Sequence, residues 1–237
     1  MSPIQKKKTT TSNLSKLELK EVSFRWPNGE RGLQNCSFSI PRTGLWMLVG
    51  SNGSGKSTLL RIISGLLKPQ HGHLRCDLKP ALMFQNPDHQ LLLPSCGSDL
   101  MLNLPIELTN CQRQERIREA LDQVGLTDMQ ARPIHTLSGG QKQRLALAGA
   151  LASEASLLLL DEPTALLDPL SQQIVLETVQ KLCRRAHKPL TAIWITHRLE
   201  ELGYADGAIQ MEQGQLKQWK SGHCLKEQLK PLAGRRG

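Results

Sequence analysis

The segment that most constrains the fold is the eight-residue run GSNGSGKS at positions 50–57. It follows the apolar run LWMLV and precedes a stretch that places Leu59, Leu60 and Ile63 on one side of a predicted helix. This is the pattern G-x-x-x-x-G-K-[ST] in the strand–loop–helix setting that gives it meaning. The glycines let backbone N–H groups surround phosphate oxygens, and the helix N-terminus adds partial positive charge. The sequence therefore predicts a phosphate-binding loop between a buried parallel strand and a helix.

The predicted ligand of this loop is a nucleotide with Mg²⁺. We expect the Lys56 ammonium group to reach the β- and γ-phosphates and the Ser57 hydroxyl to bind the metal ion. The alternative is a glycine-rich turn that happens to contain a lysine, and the strand–loop–helix setting disfavours it. The residues assigned to phosphate binding are Gly50, Ser51, Asn52, Gly53, Ser54, Gly55, Lys56, Ser57 and Thr58.

Two other predicted strands end in side chains suited to hydrolysis. The run LLLLDE at 157–162 delivers Asp161 to the carboxyl end of a strand, where open α/β sheets bind ligands. There Asp161 can hold Mg²⁺ through its water shell, and Glu162 can orient or deprotonate an attacking water. His197 follows the strand LTAIWIT at the same sheet edge and is expected to contact the γ-phosphate. The alternative for each side chain is an ordinary strand end.

A second predicted anion cradle occurs at LSGGQ, where a serine and two glycines open the helix KQRLALAGAL. One nucleotide does not need two such cradles on one chain, so we expect this one to close on the γ-phosphate of a second subunit. Asp168, on the loop ALLDP beyond Glu162, is expected to face the same interface. The alternative is a plain Gly-Gly helix entry. The cradle comprises Leu137, Ser138, Gly139, Gly140 and Gln141.

An aromatic residue on the first predicted hairpin could hold the base of the nucleotide. Trp26 lies 30 residues before Lys56 and could stack on adenine. Phe24 in that role, or simple core packing of Trp26, are the alternatives.

These motifs, in this order, resemble the ATP-binding-cassette (ABC) ATPases over roughly residues 15–220. The resemblance implies a head-to-tail dimer that binds two ATP with Mg²⁺, separates after hydrolysis and, in transport members, drives a membrane partner. It also identifies Gln85 as the Q-loop glutamine, which senses Mg²⁺ and the attacking water. The dimer could pair two identical chains or this chain with a paralogue.

Within that family, the segments FQNPDHQ at 84–90 and EVSFRWPNG at 21–29 are similar to those of energy-coupling-factor and cobalt-type importer ATPases. In that group the ATPases sit beneath a transmembrane coupling protein and a separate substrate-binding membrane subunit. The resemblance implies a cytoplasmic protein, peripheral on the cytoplasmic face of the plasma membrane, with an organelle location left open. Residues 86–90 are expected to face the membrane partner.

The sequence departs from the family pattern in three places. Lys56 and Gln85 are 29 positions apart, which predicts a shortened connection. The loop before Asp168 reads Ala-Leu-Leu-Asp where Ser-Ala-Leu-Asp or Ala-Gly-Leu-Asp is typical, and Trp26 stands where a Tyr is usual. None of these removes a catalytic group, so activity is expected.

The predicted fold class is α/β, a P-loop NTPase core with a mostly parallel sheet. Strands alternating with helices predict that sheet, and the alternation at 17–24 followed by a turn predicts an N-terminal antiparallel subdomain. Residues 88–152 are predicted as an inserted helical subdomain within one domain at 15–220. A disordered basic tail is predicted at 1–14 and a basic C-terminal tail at 221–237.

The distribution of charge and of cysteines argues against a nucleic-acid-binding protein and against a disulfide or zinc framework. Residues 1–20 carry +4 and residues 217–237 carry +5, which is the entire formal charge of +9. The neutral centre argues against a nucleic-acid-binding face. Six cysteines without a C-x-x-C pair suit reduced thiols. His71 and His73 near Cys76 could indicate a metal site, but a turn after Pro69 is the favoured interpretation.

The competing functions stay within the same family. A soluble ATPase of iron–sulfur cluster assembly is the main alternative. DNA-associated members insert long coiled coils, whereas Lys56 and Ser138 are only 82 positions apart here. Ribosomal members carry two cassettes in one chain, whereas this sequence has the motifs of one. A degenerate, non-catalytic cassette is disfavoured because Glu162 and His197 are both present.

Overall fold

The computed structural model describes residues 16–233, and the tail predicted at 1–14 lies outside them. Nine strands are described: β1 Leu17–Arg25, β2 Arg31–Ser39, β3 Gly44–Val49, β4 His71–Cys76, β5 Pro80–Met83, β6 Leu157–Asp161, β7 Thr191–Ile195, β8 Gly207–Glu212 and β9 Gln215–Leu216. Six α-helices are described: α1 Lys56–Ile63, α2 Cys96–Met101, α3 Asn110–Gln123, α4 Gly139–Ala152, α5 Pro169–Arg184 and α6 Gly222–Ala233. Short 3₁₀ turns span Pro87–His89, Ile134–Thr136 and Glu201–Tyr204.

The larger sheet has the order β5-β6-β7-β3-β8-β9. All its neighbouring strands pair in parallel except β9, which pairs antiparallel with β8. The strands β3 and β7 are buried at every position, as their continuous apolar runs predict for a sheet covered on both faces. The predicted α/β class is confirmed.

The smaller sheet is antiparallel, with the order β2-β1-β4. The predicted hairpin of β1 and β2 is present, with Arg25 opposite Arg31 beside the turn. The turn predicted after Pro69 is limited to a bend at residue 70, because His71 and His73 already lie in the edge strand β4. Four residues of β4 are exposed and only Leu74 and Cys76 pack partly against the core, so pairing with β1 defines most of the strand. An apolar cluster from this sheet, one face of the parallel sheet and α1 forms one core.

The stretch between β5 and β6 folds into helices and turns, as predicted for the inserted helical subdomain. In α3 the side chains of Ile117, Ala120 and Leu121 are buried in a second core, which α4, α5 and side chains of the parallel sheet complete. α2, α3 and α4 each begin at a Ser or Thr that forms a capping box, so all three start points are fixed by local hydrogen bonds.

The segment predicted as a basic tail at 221–237 is instead helical through residue 233. Leu225 is buried in the second core, and Leu229 packs partly against it. Residues four apart lie on the same helix face, so this pair anchors α6 while its lysines face outward. Within residues 16–233, no helix combines the length and apolar character that crossing a membrane requires.

Candidate functional site

The loop between β3 and α1 is closed by glycines that no other residue could replace without displacing backbone. Gly55 adopts a left-handed φ of 105°, and a Cβ there would lie 2.3 Å from the Gly32 carbonyl oxygen. A Cβ on Gly50 would lie 2.3 Å from the Met211 carbonyl oxygen. The loop therefore keeps its backbone N–H groups close to the start of α1, where the helix dipole favours an anion.

Two buried polar side chains of this loop are suited to bind an anion. Lys56 is 5% exposed, and its Nζ donates to the carbonyl oxygens of Gly50 and Ser51 at 2.9 and 2.8 Å. Burial lowers the pKa of Lys56, while the nearby Glu162 and Asp161 carboxylates oppose that shift. Ser54 Oγ is buried without a hydrogen-bond partner among the described residues. A buried hydroxyl without a partner is costly, so this cradle fits a phosphate group with several acceptor oxygens.

A cavity of about 290 Å³ lies beside the loop. Trp26 lines it, whereas Phe24 is buried in the core and meets the Trp26 ring edge-on at 5.2 Å. Glu30 and Arg31, on the turn and at the start of β2, also line the cavity, and no sequence motif marks them. Its remaining lining residues are Gly32, Asn52, Gly53, Ser54, Gly55, Lys56, Ser57, Thr58 and Glu162.

The strand ends bring the predicted carboxylates and imidazole together. Asp161 pairs with Ile195 across β6 and β7, so the residues after the two strands are neighbours. His197 Nε2 lies 2.8 Å from Glu162 Oε1, within hydrogen-bond range. Glu162 has a φ of 50°, a conformation that is uncommon for residues other than glycine and costs energy. A strained acidic residue held against an imidazole beside a phosphate cradle is typical of a catalytic site.

Asp161 faces the first helix from the end of β6. The Ser57 hydroxyl hydrogen-bonds its carboxylate, and burial raises the pKa of Asp161 despite that bond. Among residues 16–233, no group of three or more His, Cys, Asp or Glu side chains could hold a metal ion alone. Ser57 and Asp161 nevertheless provide two oxygen donors, and Mg²⁺ commonly takes its remaining ligands from phosphates and water. The residues therefore fit a Mg²⁺ ion that arrives with a nucleotide.

Gln85 lies at the same sheet edge but not in this cavity. It comes two residues after Met83, which pairs with Leu160, and its side chain is exposed. The loop that follows is tied to the helical region, because Asp88 forms an ion pair of 2.7 Å with Lys142 in the first turn of α4.

The LSGGQ cradle lies apart from the phosphate loop on the same chain. Ser138 caps α4, and its hydroxyl accepts from the Gln141 N–H at 3.3 Å. Ser138 and Gly139 are exposed, and none of residues 137–141 lines the cavity at Lys56. Asp168 is also exposed and caps α5, accepting from the Ser171 N–H at 3.0 Å. The two cradles of one molecule therefore do not form one site.

Comparison with known proteins assigns a family to this arrangement. A sequence profile described as ABC transporter matches residues 33–165. ABC transporter I family member 10 of Arabidopsis thaliana is 46% identical over 186 residues, which cover 78% of this chain and 69% of that protein. The energy-coupling factor transporter ATP-binding protein EcfA1 of Geobacillus kaustophilus is 40% identical over 216 residues, covering 84% and 76%.

Solved structures agree with the sequence relatives. The structure of cbiO1 from Clostridium perfringens, described as part of the ABC transporter complex cbiONQ, superposes with a TM-score of 0.82 at 28% identity. It covers 94% of this chain and 96% of that chain. A dimeric post-hydrolysis structure of the ATP-binding cassette MJ0796, with ADP and Pi, gives 0.74 at 25% identity and covers 86% and 98%.

Proposed function

The chain belongs to the ABC transporter family, and from that premise we propose that it is the ATP-hydrolysing subunit of an energy-coupling-factor or cobalt-type importer. The family membership makes it a nucleotide-binding ATPase. The importer subgroup is supported by the relative named EcfA1 and by the likeness to cbiO1. The observation that carries catalysis is the 2.8 Å contact of Glu162 with His197 beside the cavity that Lys56 and Ser57 line.

In this proposal the phosphate loop binds the triphosphate of ATP. The Lys56 ammonium exchanges the Gly50 and Ser51 carbonyl oxygens for phosphate oxygens, and Trp26 supports the adenine. Ser57 and Asp161 would hold Mg²⁺, with Gln85 approaching from the neighbouring strand end. When bound, the ion neutralises charge on the phosphate oxygens.

Glu162 and His197 act on the attacking water and the γ-phosphate. Glu162 orients the water and accepts its proton, while the His197 imidazole donates a hydrogen bond to a γ-phosphate oxygen. For that, His197 must release Glu162 or share it, because their 2.8 Å contact engages the same Nε2.

The LSGGQ cradle serves the nucleotide of a second cassette, either an identical chain or a paralogue. Its separation from the cavity at Lys56 supports this, and so does the dimeric state of the MJ0796 structure. Two such composite sites form across a two-fold interface, with Asp168 at the seam.

The conformational change driven by ATP binding and hydrolysis is transmitted to membrane proteins at the cytoplasmic face of a plasma or organelle membrane. We propose a transmembrane coupling protein and a substrate-binding membrane subunit as partners, in line with the complex named for cbiO1. The helical region exposes most of three large apolar side chains, Leu92, Leu102 and Ile106. Exposed apolar side chains of this size are typical of a protein-binding surface.

The proposal is tested by two measurements on the full chain. Glu162→Gln should bind ATP but hydrolyse it at least about 100-fold more slowly, because a general base typically contributes that much. Glu115→Gln, an exposed change on α3, is the matched control and should hydrolyse normally. Normal turnover by Glu162→Gln would overturn the catalytic assignment.

Affinity purification from detergent-solubilised membranes tests the importer assignment. Recovery of multi-spanning membrane proteins, identified by mass spectrometry, is the expected result. Recovery of soluble scaffold proteins of iron–sulfur assembly instead would overturn it.

A further inference from the structure

Glu201 is a buried carboxylate that belongs to none of the sequence motifs. It starts the 3₁₀ turn four residues after His197 and is only 5% exposed. Glutamate is almost never fully buried unless its oxygens are paired, since leaving a charge without partners in the interior is costly.

Both oxygens of Glu201 accept from buried donors of two different segments, and the partly exposed Arg198 lies with its Nε 3.7 Å from Oε1. Oε1 accepts from the Thr164 hydroxyl at 2.7 Å, and Oε2 accepts from the Trp194 indole N–H at 3.0 Å. Thr164 lies two residues after Glu162, and Trp194 lies three residues before His197. One side chain thus joins the two loops that carry the proposed catalytic pair.

The same link extends to the loop before α5. The Thr164 carbonyl oxygen accepts from the Gln172 side-chain amide at 3.2 Å, and the Leu167 carbonyl oxygen accepts from the same amide at 2.7 Å. Leu167 precedes Asp168, so the segment from Glu162 to Asp168 is held by Glu201 through the Thr164 hydroxyl and by Gln172 through two carbonyl oxygens.

We propose that Glu201 is a positioning residue for ATP hydrolysis. It fixes the Glu162 loop against the His197 loop and connects both to the loop that carries Asp168, an inference that rests on the proposed function. The strained φ of Glu162 needs such support, because a sparsely populated backbone conformation persists only where its surroundings enforce it. Glu201 touches neither nucleotide nor water in this proposal, so its effect falls on turnover rather than on ATP binding.

The chemistry of the pair defines a graded test. Glu201→Gln can keep both hydrogen bonds, because its carbonyl oxygen accepts from Trp194 while its amide donates to the Thr164 hydroxyl, and it gives up only the charge that faces Arg198. Glu201→Leu leaves both buried donors unpaired. Thr164→Val removes one donor at nearly constant shape and serves if Glu201→Leu does not fold.

A control for general destabilisation comes from the amino ends of the parallel strands, opposite the carboxyl ends that carry the site. Asp206, just before β8, accepts from the Leu45 N–H at 2.9 Å and pairs with Arg42. Asp206→Ala should lower the melting temperature while leaving kcat unchanged when assayed well below that temperature.

Steady-state hydrolysis, affinity for a fluorescent ATP analogue and thermal melting are measured for each variant. Glu201→Leu or Thr164→Val should lower kcat about 10- to 100-fold, as loss of alignment does, with the analogue Kd within about twofold of wild type. Glu201→Gln should restore most of kcat. The proposal is overturned if the folded Leu and Val variants keep wild-type kcat, or if they lose only stability, as Asp206→Ala does. Absence of hydrolysis by the wild-type chain, assayed both alone and with a paralogous cassette, would instead count against the proposed function.

Discussion

Replacing Ser138 with alanine separates the two roles that its hydroxyl can have. In the folded chain the hydroxyl caps α4 by accepting from the Gln141 N–H. In turn, the Gln141 side-chain oxygen accepts from the Ser138 N–H at 2.9 Å. Loss of an N-cap serine costs about 1 kcal/mol of folding free energy. For a domain of this size that corresponds to a melting temperature lower by roughly 2–4 °C.

In the assembled dimer the same hydroxyl is proposed to reach the partner's γ-phosphate. A hydrogen bond to a charged group contributes about 1.5–3 kcal/mol, so its loss should reduce hydrolysis by roughly 10- to 100-fold. Ser95 is the matched control, because it forms the same capping box at the start of α2. Ser95→Ala should show the same loss of stability with unchanged hydrolysis.

The assay combines thermal denaturation followed by circular dichroism with phosphate release at saturating ATP, both at a temperature where each variant is folded. Equal melting shifts with a selective loss of turnover in Ser138→Ala are expected. Normal turnover by Ser138→Ala, or an equal loss in Ser95→Ala, would refute the reasoning, because the hydroxyl would then act only as a helix cap.

Three other changes test the helix cap at Asp168, the close approach of Gly140 to Ser171 and the proposed role of Gln85. Asp168→Ala should lower stability at neutral pH, and the difference from wild type should shrink in melting curves recorded as pH falls through and below 3.8. The reason is that hydrogen bonds from Ser171 lower the pKa of Asp168 from its ordinary value of 3.8, so its stabilisation is complete above that value and lost on protonation. Gly140→Ala should cost about 1–3 kcal/mol in denaturant titration, since a Cβ would lie 2.7 Å from Ser171 Oγ; an accompanying Ser171→Gly should recover part of this. Gln85→Ala should reduce transport by the reconstituted complex more than it weakens ATP binding, and a loss of binding alone would contradict its proposed role.

The sequence predicts the centre of the site well because short motifs have fixed local geometry. A glycine-rich loop between a strand and a helix can place Lys56 in only one way, and parallel strands bring their carboxyl ends to one edge. Asp161, Glu162 and His197 are therefore neighbours as soon as β6 and β7 are recognised.

Features that depend on pairing between distant segments could not be predicted in the same way. In the strand β4 only Leu74 and Cys76 alternate with exposed residues, and the rest of the strand depends on its pairing with β1. The segment that looks like a basic tail is a helix that packs on the core through Leu225 and Leu229. Glu201, Thr164 and Trp194 meet only because the register of β6 and β7 brings their loops together, and no motif marks them.

Subunit mixing tests the shared site most directly. Lys56→Ala should disable the phosphate loop and Ser138→Ala the opposing cradle, so each variant alone should hydrolyse ATP poorly. A dimer containing one of each retains one site in which both halves are intact. Random pairing at equal amounts should therefore restore activity to as much as about one quarter of wild type. If the wild-type chain hydrolyses ATP as a dimer of itself and the mixture shows no recovery, the composite site is contradicted.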